Sequence, residues 1–300
     1  MKISILTPTY NRANLLDQLY TSILINSNTC NCDIEWIIMD DGSTDNTKQI
    51  IEAYVKENII EVYYFYQKNS GKMVALNELV KKATGDLIIE CDSDDFLTPN
   101  AFRKIEDSLS TCQDMGNIYA MLFLKYDQNG ENMGNNFPED NYESTMFDLY
   151  FKEGITGEKA LVYNSTIRKQ YQYELENNEK FITEASLHHK MDLNYNIKCF
   201  NKKIMICEYK PDGYSKNIDK LFVENPQGYF RYFKEMFEHN MNGVKFKKRM
   251  YIYKHYILFA TLTKQKDILG QAKGLGNKIM IAILYLPGKI MTKKRFKRKE

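Results

Sequence analysis

Apolar and polar positions follow two different periods over the first 125 residues, which predicts strands that alternate with helices. Short apolar or β-branched runs bounded by polar residues are typical of buried strands, and apolar residues at three- and four-residue spacing are typical of helices. Strands are predicted at Lys2–Thr7, Glu35–Met39, Ile60–Tyr66, Leu87–Cys91 and Ile118–Tyr126. Helices are predicted around Leu15–Leu24, Ile50–Val55, Leu76–Val80 and Pro99–Leu109.

This alternation favours an α/β fold with a doubly wound, mostly parallel sheet. After residue 145 the pattern mixes α and β, and from Phe230 onward it is helical and rich in aromatic residues. We therefore predict an α/β domain at 1–220, with halves 1–110 and 111–220, and a helical extension at 221–300.

Composition indicates a folded protein, because 43% of the residues are apolar and 27% are charged. The six cysteines include no CxxC pair, so we expect reduced thiols and no zinc. The first apolar run is too short for a signal peptide, and no stretch reaches the ~20 apolar residues of a spanning helix. We expect a cytoplasmic protein.

Positive charge is concentrated at the C-terminus. Residues 289–300 contain seven Lys or Arg and one Glu, although the whole chain carries only +2. An apolar run at Ile279–Leu286 precedes them, and a basic cluster lies at 245–249. This pattern predicts a helix in the interface of the membrane's inner face; the alternative is a packed appendix with a disordered basic end. Nucleic acid is not expected, because the mildly acidic body offers no second basic surface.

Polar clusters follow three of the predicted strands. They are Thr7–Arg12 after the first strand, Asp40–Asp45 after the second and Asp92–Asp95 after the fourth. In parallel sheets ligands bind at the carboxyl ends of the strands, so these clusters predict an active site.

The cluster Asp92-Ser93-Asp94-Asp95 places three carboxylates within four residues. In a partly buried cleft these groups repel one another, and a divalent cation relieves the repulsion. Oxygen ligands suit Mg²⁺ or Mn²⁺, which can bridge to a pyrophosphate. The alternative is a solvated acidic turn before the next helix.

The cluster Asp40–Asp45 contains a glycine turn, in which Ser43 can cap the next helix. A turn does not require two successive aspartates, whereas a carboxylate at a strand end can accept hydrogen bonds from a base or a ribose. Tyr10 can stack on a base, and Arg12 or Lys72 can meet phosphate charge. Arg12 can equally be a surface cation.

Two common nucleotide motifs are absent. No GxGxxG follows the first strand, and Ser70-Gly71-Lys72-Met73 lacks the spacing and the Ser/Thr of a P-loop. Dehydrogenase, ATPase and kinase functions are therefore disfavoured.

Taken together, the motifs resemble family 2 of the glycosyltransferases, which has the GT-A fold. The matching stretches are Ser4–Arg12, Asp40–Asp45, Asn69–Lys72 leading to Asn77, and Gly85-Asp86 leading to Asp92–Asp95. The resemblance implies transfer of a sugar from a UDP-sugar donor to a glycan or lipid-linked acceptor. It also implies a Mn²⁺ or Mg²⁺ cofactor and a role in bacterial surface polysaccharide, such as capsule, or glycoconjugate assembly.

By resemblance, Asp41 contacts the uracil and the metal is bound among Asp92, Asp94 and Asp95, with the direct ligand left open. The residues expected to line the nucleotide are Pro8, Thr9, Tyr10, Arg12, Asp41, Lys72, Asn77, Asp92 and Ser93.

The second half matches less closely. Gly157–Lys159 and Glu179–Glu184 resemble the acceptor-side segments of one bacterial branch, in which the residue matching Glu184 is the candidate catalytic base. Many relatives have Glu-Asp where this chain has Glu184-Ala185. The alternative is an exposed glutamate at a helix start. A base there implies a single, inverting displacement.

Two other functions remain as alternatives. A sugar nucleotidyltransferase shares the sheet but requires a glycine- and arginine-rich loop, which Pro8–Arg12 does not supply. A non-catalytic partner subunit can keep the nucleotide fold, but the presence of Asp92, Asp94 and Glu184 argues against it.

Overall fold

A computed structural model describes residues 1–112, 114–176, 179–208 and 218–297. The chain divides into two compact units. The first comprises Met1–Thr145, Ile155–Tyr173 and Asn194–Gly213, and the second comprises Met146–Gly154, Glu174–Leu193 and Tyr214–Glu300. The boundary predicted at residue 220 stays a prediction. Arg298, Lys299 and Glu300 of the basic tail lie outside the described residues.

The described part of the first unit contains a nine-stranded sheet. Its strands are β1 (Lys2–Thr9), β2 (Asp33–Asp40), β3 (Glu61–Tyr66), β4 (Leu87–Glu90), β5 (Asp95–Leu97), β6 (Ile118–Asp127), β7 (Tyr142–Ser144), β8 (Lys159–Asn164) and β9 (Asn196–Cys207). Their order is β3-β2-β1-β4-β8-β6-β9-β5, and β7 pairs with β9.

The helices are shared between the two units. They are α1 (Ala13–Ser27), α2 (Thr47–Glu57), α3 (Lys72–Lys82), α4 (Ala101–Ser110), α5 (Met146–Asp148, continued by a π-helix at Leu149–Glu153), α6 (Ser165–Arg168), α7 (Ala185–Met191), α8 (Ile218–Glu224), α9 (Pro226–Glu235, followed by a 3₁₀ turn at Met236–Glu238), α10 (Phe246–Leu262) and α11 (Leu275–Lys297).

The predicted parallel sheet is confirmed for its first half. β3, β2, β1 and β4 are parallel neighbours, β9 is parallel to β6, and β8 lies antiparallel between β4 and β6. β1 runs two residues past its predicted end, through Pro8. It can do so because its pairing with β4 ends at Leu6, so β4 requires no N–H from Pro8. The three-residue strand β5 was not predicted, because it is too short for a period to be visible.

The core on one face of the sheet is built by α1, α2 and α4. Trp36 of β2 is fully buried and lies parallel to the rings of Tyr20 and Tyr54, both at 5.8 Å. Its indole Nε1 donates to Thr7 Oγ1 at 2.9 Å, which satisfies the polar atom of an otherwise apolar side chain. This packing fixes α1 and α2, and with them the loops that precede both helices.

The expectation of six reduced cysteines is wrong for Cys30 and Cys32, which form a disulfide in the turn after α1. The two residues are separated by one position, so a search for CxxC spacing does not find them. Cys91, Cys112, Cys199 and Cys207 are outside this disulfide and remain thiols.

The second unit has its own core of aromatic side chains from α8, α9 and α10. His189 of α7 is buried within it and faces the rings of Phe147, Tyr232 and His239. Over the described residues, no helix combines the length and the apolar character that crossing a bilayer requires.

Acidic pH should destabilise the second unit through His189, which is buried, and His239, which is half-buried. Burial lowers the pKa of His239 from 6.5 to about 4, and burial also lowers the pKa of His189. Between pH 6.5 and about 4, His239 binds a proton in the unfolded chain but not in the folded one. The free energy of unfolding is therefore undiminished above pH 6.5 and falls as the pH falls towards 4.

His239 stacks on Phe147 at 4.3 Å, so His239→Phe should preserve the packing while flattening the fall in Tm between pH 7.5 and 5 by several degrees. Thermal unfolding at both pH values measures this effect. Phe237→Leu, in the same core, is the control and should lower Tm equally at both. An unchanged pH dependence in His239→Phe would contradict the assignment.

Candidate active site

The last residue of β1 is Thr9. Its carbonyl oxygen accepts a hydrogen bond from Asp41 N at 2.8 Å, which joins the ends of β1 and β2. Its hydroxyl Oγ1 is buried and has no hydrogen-bond partner among the described residues. A buried hydroxyl without a partner is costly, and a ligand at this strand end would satisfy it. The next residue, Tyr10, is 48% exposed, which leaves its ring available for stacking.

The loops after β1 and β2 are tied together by Asn11. Its backbone N–H donates to Ser43 Oγ at 2.9 Å, and its side-chain Oδ1 accepts from Thr44 N at 2.7 Å. Asn11 has a φ of 51°, a left-handed conformation that asparagine tolerates better than most residues. The clusters Thr7–Arg12 and Asp40–Asp45 are therefore joined by hydrogen bonds into one pair of loops.

Asp41 binds the start of α3. Its Oδ1 accepts from Gln67 Nε2 at 2.7 Å and from Ser70 N at 2.8 Å, and its Oδ2 accepts from Gly71 N at 2.8 Å. The residue is only 4% exposed. A carboxylate offers about four acceptor positions, so these bonds leave capacity for one further donor, such as a base N–H.

The neighbouring acidic residues have structural partners. Asp40 accepts from Ser43 N and from the Tyr64 hydroxyl. Asp45 accepts from Thr47 N at 3.1 Å and Ala13 N at 3.0 Å, and so binds the first residues of both α2 and α1. The prediction that Ser43 caps α2 is wrong, because α2 begins only at Thr47 and Asp45 accepts from its first N–H.

Lys72 and Asn77 of α3 extend the cluster. Lys72 Nζ lies 2.7 Å from Asp92 Oδ2, and Gly71 before it donates to Asp41. The structure thus links Asp41 to Asp92 through two successive residues of the chain. Asn77 makes two hydrogen bonds, both at 2.9 Å, to the backbone N and O of Tyr173.

Asp94 and Asp95, which follow Asp92 in the acidic turn, have different surroundings. Burial and the charges of Asp92 and Asp95 raise the pKa of Asp94, and the Arg12 guanidinium partly offsets this rise. Asp95 is 3% exposed and its Oδ2 lies 2.8 Å from Lys125 Nζ. Ser93 between them is buried. The turn therefore concentrates negative charge near Asp94, and Arg12 of the first motif lies close enough to act on it.

Asp92 and Asp94 are the carboxylates of this turn that would hold a divalent cation. No group of three or more His, Cys, Asp or Glu side chains arranged to hold a metal occurs within the described ranges. Mg²⁺ and Mn²⁺ sites of nucleotide enzymes often use one or two carboxylates, and phosphate oxygens and water complete the shell. The raised pKa of Asp94 shows a carboxylate whose charged form would be stabilised by such a cation.

Sequence reasoning missed Lys125, which lies on β6. Burial lowers the pKa of Lys125, but the carboxylates of Asp95 and Glu158 raise it by more than burial lowers it. The net pKa therefore lies well above that of an ordinary lysine. Nothing in the local sequence marks this residue, because a lysine at the end of a strand is usually solvated. Only the pairing of β5 with β9, and of β9 with β6, brings it to Asp95.

A second missed cation is Arg168 of α6, which is fully buried. Its Nε donates to Glu90 Oε1 at 2.8 Å, and its guanidinium lies over the rings of Tyr163 and Tyr173. Glu90 ends β4 two residues before Asp92. Arg168 therefore supports the base of the acidic turn.

Glu184, the predicted base, belongs to the second unit. It is exposed and precedes α7, and its carbonyl oxygen accepts from Leu187 N at 3.0 Å. The structure thus leaves the carboxylate accessible from solvent. Its catalytic role stays a prediction, as do the binding roles of the other predicted site residues.

Comparison with solved structures identifies the fold. S. aureus TarS superposes with a TM-score of 0.62 at 18% identity, over 97% of this chain and 54% of that chain. A mannosyltransferase of Pyrobaculum calidifontis, solved with GDP-Man and Mn²⁺, has a TM-score of 0.53 at 14% identity, over 97% of this chain and 83% of that chain. The predicted GT-A fold is confirmed.

Comparison of sequences identifies the family. An uncharacterized glycosyltransferase of Mycoplasma pneumoniae is 38% identical over 107 residues, 35% of this chain and 36% of that protein. One of Nostoc sp. is 32% identical over 121 residues, 40% of this chain and 37% of that protein. The matched segments thus span little more than a third of these curated relatives. The profile described as glycosyl transferase family 2 matches residues 4–183, and the chain therefore belongs to that family.

Proposed function

We propose that the chain is an inverting, metal-dependent glycosyltransferase that moves a sugar from a UDP-sugar to a glycan or lipid-linked acceptor. The observation that carries this proposal is the run of contacts from Asp41 through Gly71 and Lys72 to Asp92. It brings the candidate base-binding carboxylate and the candidate metal-binding turn to one rim of the sheet. A nucleoside diphosphate has its base and its phosphates at opposite ends, and both ends need a partner.

The donor class is supported by the structural neighbours. TarS has been solved with UDP and with UDP-GlcNAc, and the Pyrobaculum enzyme with GDP-Man. Thr9 Oγ1 has no hydrogen-bond partner within the described part of the chain, Tyr10 is half-exposed and Asp41 retains acceptor capacity. Together they suit a nucleoside, and the family resemblance of Asp41 favours uracil. Pro8 and Ser93 line the same strand ends and carry no charge.

The proposed metal ligands are Asp94 and Asp92. A Mn²⁺ or Mg²⁺ ion there would neutralise charge on the departing diphosphate. Asp95 is proposed to act indirectly, because its side chain is 4% exposed and pairs with Lys125 at 2.8 Å. The Asp92 side chain also pairs with a lysine, Lys72, but it is 41% exposed and can be reached by an ion. Lys72 and Arg12 are the cations placed to meet phosphate oxygens.

Glu184 is the proposed base. An acceptor hydroxyl must lose its proton as it attacks the anomeric carbon, and a carboxylate within hydrogen-bond reach can accept that proton. The new glycosidic bond forms as the bond to the diphosphate breaks, so one displacement inverts the anomeric centre. The exposure of Glu184 suits a group that must meet an incoming acceptor. We place the acceptor in bacterial surface polysaccharide or glycoconjugate assembly, at the cytoplasmic face of the membrane.

Donor binding gives the first test. UDP together with Mn²⁺ should raise Tm, because selective binding to the folded state stabilises it by about 2.7 kcal/mol at a concentration 100 times Kd. A panel of UDP-sugars screened for hydrolysis then identifies the sugar. If another nucleotide raises Tm and UDP with Mn²⁺ does not, the assignment of UDP as the donor nucleotide is wrong.

Substitution in the acidic turn tests the metal site. Asp94→Asn should reduce Mn²⁺-dependent transfer by at least roughly 100-fold, because it removes a proposed ligand of the cation that neutralises charge on the departing diphosphate. Asp107→Asn on α4 is a matched control, since that exposed aspartate pairs with Arg103 one helical turn away. Equal metal dependence in Asp94→Asn and the unaltered chain would rule out Asp94 as a ligand.

Glu184→Gln separates binding from turnover. Donor affinity should be unchanged, whereas kcat for transfer should fall about 10²- to 10⁴-fold, because a general base is lost. Titration calorimetry with UDP and a transfer assay give the two quantities. Glu224→Gln on α8 is the control for an exposed glutamate of the same unit. Normal turnover in Glu184→Gln would eliminate it as the base.

Asp95 and Lys125 are tested as a pair. Lys125→Met leaves a buried carboxylate without its cation and should lower the free energy of unfolding by about 3 kcal/mol. Adding Asp95→Asn should recover part of that loss, whereas independent sites would show additive losses. Denaturant unfolding measures the cycle. Loss of Mn²⁺ binding in Asp95→Asn alone would instead make Asp95 a metal ligand.

A further inference from the structure

The outward face of α11 is apolar. Five large aliphatic side chains on it are exposed, namely Leu275 (74%), Ile279 (52%), Ile283 (64%), Leu286 (69%) and Ile290 (55%). Their spacing of three or four residues places them on one side of the helix, as a continuous stripe about four turns long. We refer to these five residues as the outer stripe.

The opposite face of α11 is packed against the second unit. Ile281 is fully buried, and Thr292 is 4% exposed. Gly288 lies so close to α10 that an added Cβ would be 2.8 Å from Ile257 Cγ2. The core of the unit therefore holds α11 by this face and leaves the outer stripe free of it.

A helix on the surface of a globular protein normally has one apolar face and one polar face. α11 has an apolar face on each side, and only one of them contributes to the core. A contiguous exposed apolar stripe of this length marks an interaction surface.

The charge of α11 identifies the partner. The helix has six basic residues and no acidic residue, namely Lys278, Lys289, Lys293, Lys294, Arg295 and Lys297. A second copy packed along the same stripe would bring two such sets of positive charge together, which is unfavourable. An anionic lipid surface offers the opposite charge next to an apolar interior. Lys293 and Lys294 are exposed in the turn that follows the stripe, where headgroups would lie.

We propose that α11 binds an anionic membrane, with the outer stripe in the acyl boundary and the basic turn among the headgroups. The helix lies on the bilayer, in agreement with the finding that no helix of the described residues can cross one. This inference deepens the proposed function, because it would hold the chain where lipid-linked acceptors are located.

The test is co-sedimentation of the full chain with vesicles. It should bind vesicles of 70% phosphatidylcholine and 30% phosphatidylglycerol at least roughly tenfold more strongly than phosphatidylcholine alone, with binding weakened by salt. The triple variant Ile279→Gln, Ile283→Gln and Leu286→Gln should lose at least roughly tenfold in affinity. Its matched control is the triple variant Ile25→Gln, Ile59→Gln and Val223→Gln, at three other exposed apolar residues. This control should bind like the unaltered chain.

A second variant, Lys293→Gln with Lys294→Gln, tests the role of charge. Its affinity should fall about tenfold for anionic vesicles only. Lys48→Gln with Lys220→Gln is its control, because both lysines are exposed and lie on other helices. Circular dichroism should show every variant folded, since the buried face of α11 is unaltered.

Two outcomes would overturn the proposal. One is equal binding of the unaltered chain and the triple variant. The other is a dimer in light scattering that the triple variant converts to monomer, which would assign the outer stripe to a second copy. The experiment contains no sugar donor, so its failure and a failure of the proposed transferase activity are distinguishable.

Discussion

The charge balance of the turn after β4 is the constraint on which the rest of the site depends. Three carboxylates within four residues repel one another, and the fold compensates two of them with lysines from distant parts of the chain. Lys72 comes from the first turn of α3, and Lys125 from β6. The remaining carboxylate, Asp94, carries the raised pKa. The two lysines thus offset most of the repulsion within the turn and leave Asp94 as the carboxylate that the proposed cation would neutralise.

Much of the acidic character of residues 1–110 is structural. Asp40 and Asp45 accept hydrogen bonds from backbone N–H groups of neighbouring loops and helices, and Asp41 does the same for the start of α3. Buried backbone donors need partners, and carboxylates supply strong ones. The Asp40–Asp45 cluster therefore serves mainly to hold these loops and helix starts in place. A ligand can use only the acceptor capacity that remains on Asp41.

The second unit follows a different principle. Its core is aromatic and includes neutral, buried histidines, so its stability depends on pH in a way that the sheet's core does not. Its last helix has apolar side chains on both faces, although water covers one of them in the isolated chain. A helix built this way is suited to two environments at once, the protein core on one side and a lipid surface on the other.

The sequence by itself determined the elements of the first 125 residues other than β5, and the strand ends at which the polar motifs lie, because local periodicity and turn residues act over a few neighbours. It also determined the family, since four motifs occur in order. The tertiary structure alone decided which charges meet. Lys125 reaches Asp95, and Arg168 reaches Glu90, only through strand pairings and a helix far along the chain. The Cys30–Cys32 disulfide and the late start of α2 likewise depend on how the backbone turns in three dimensions. Contacts such as Lys125–Asp95 and Arg168–Glu90 join residues distant in sequence and leave no local period, so the pattern of the chain does not reveal them.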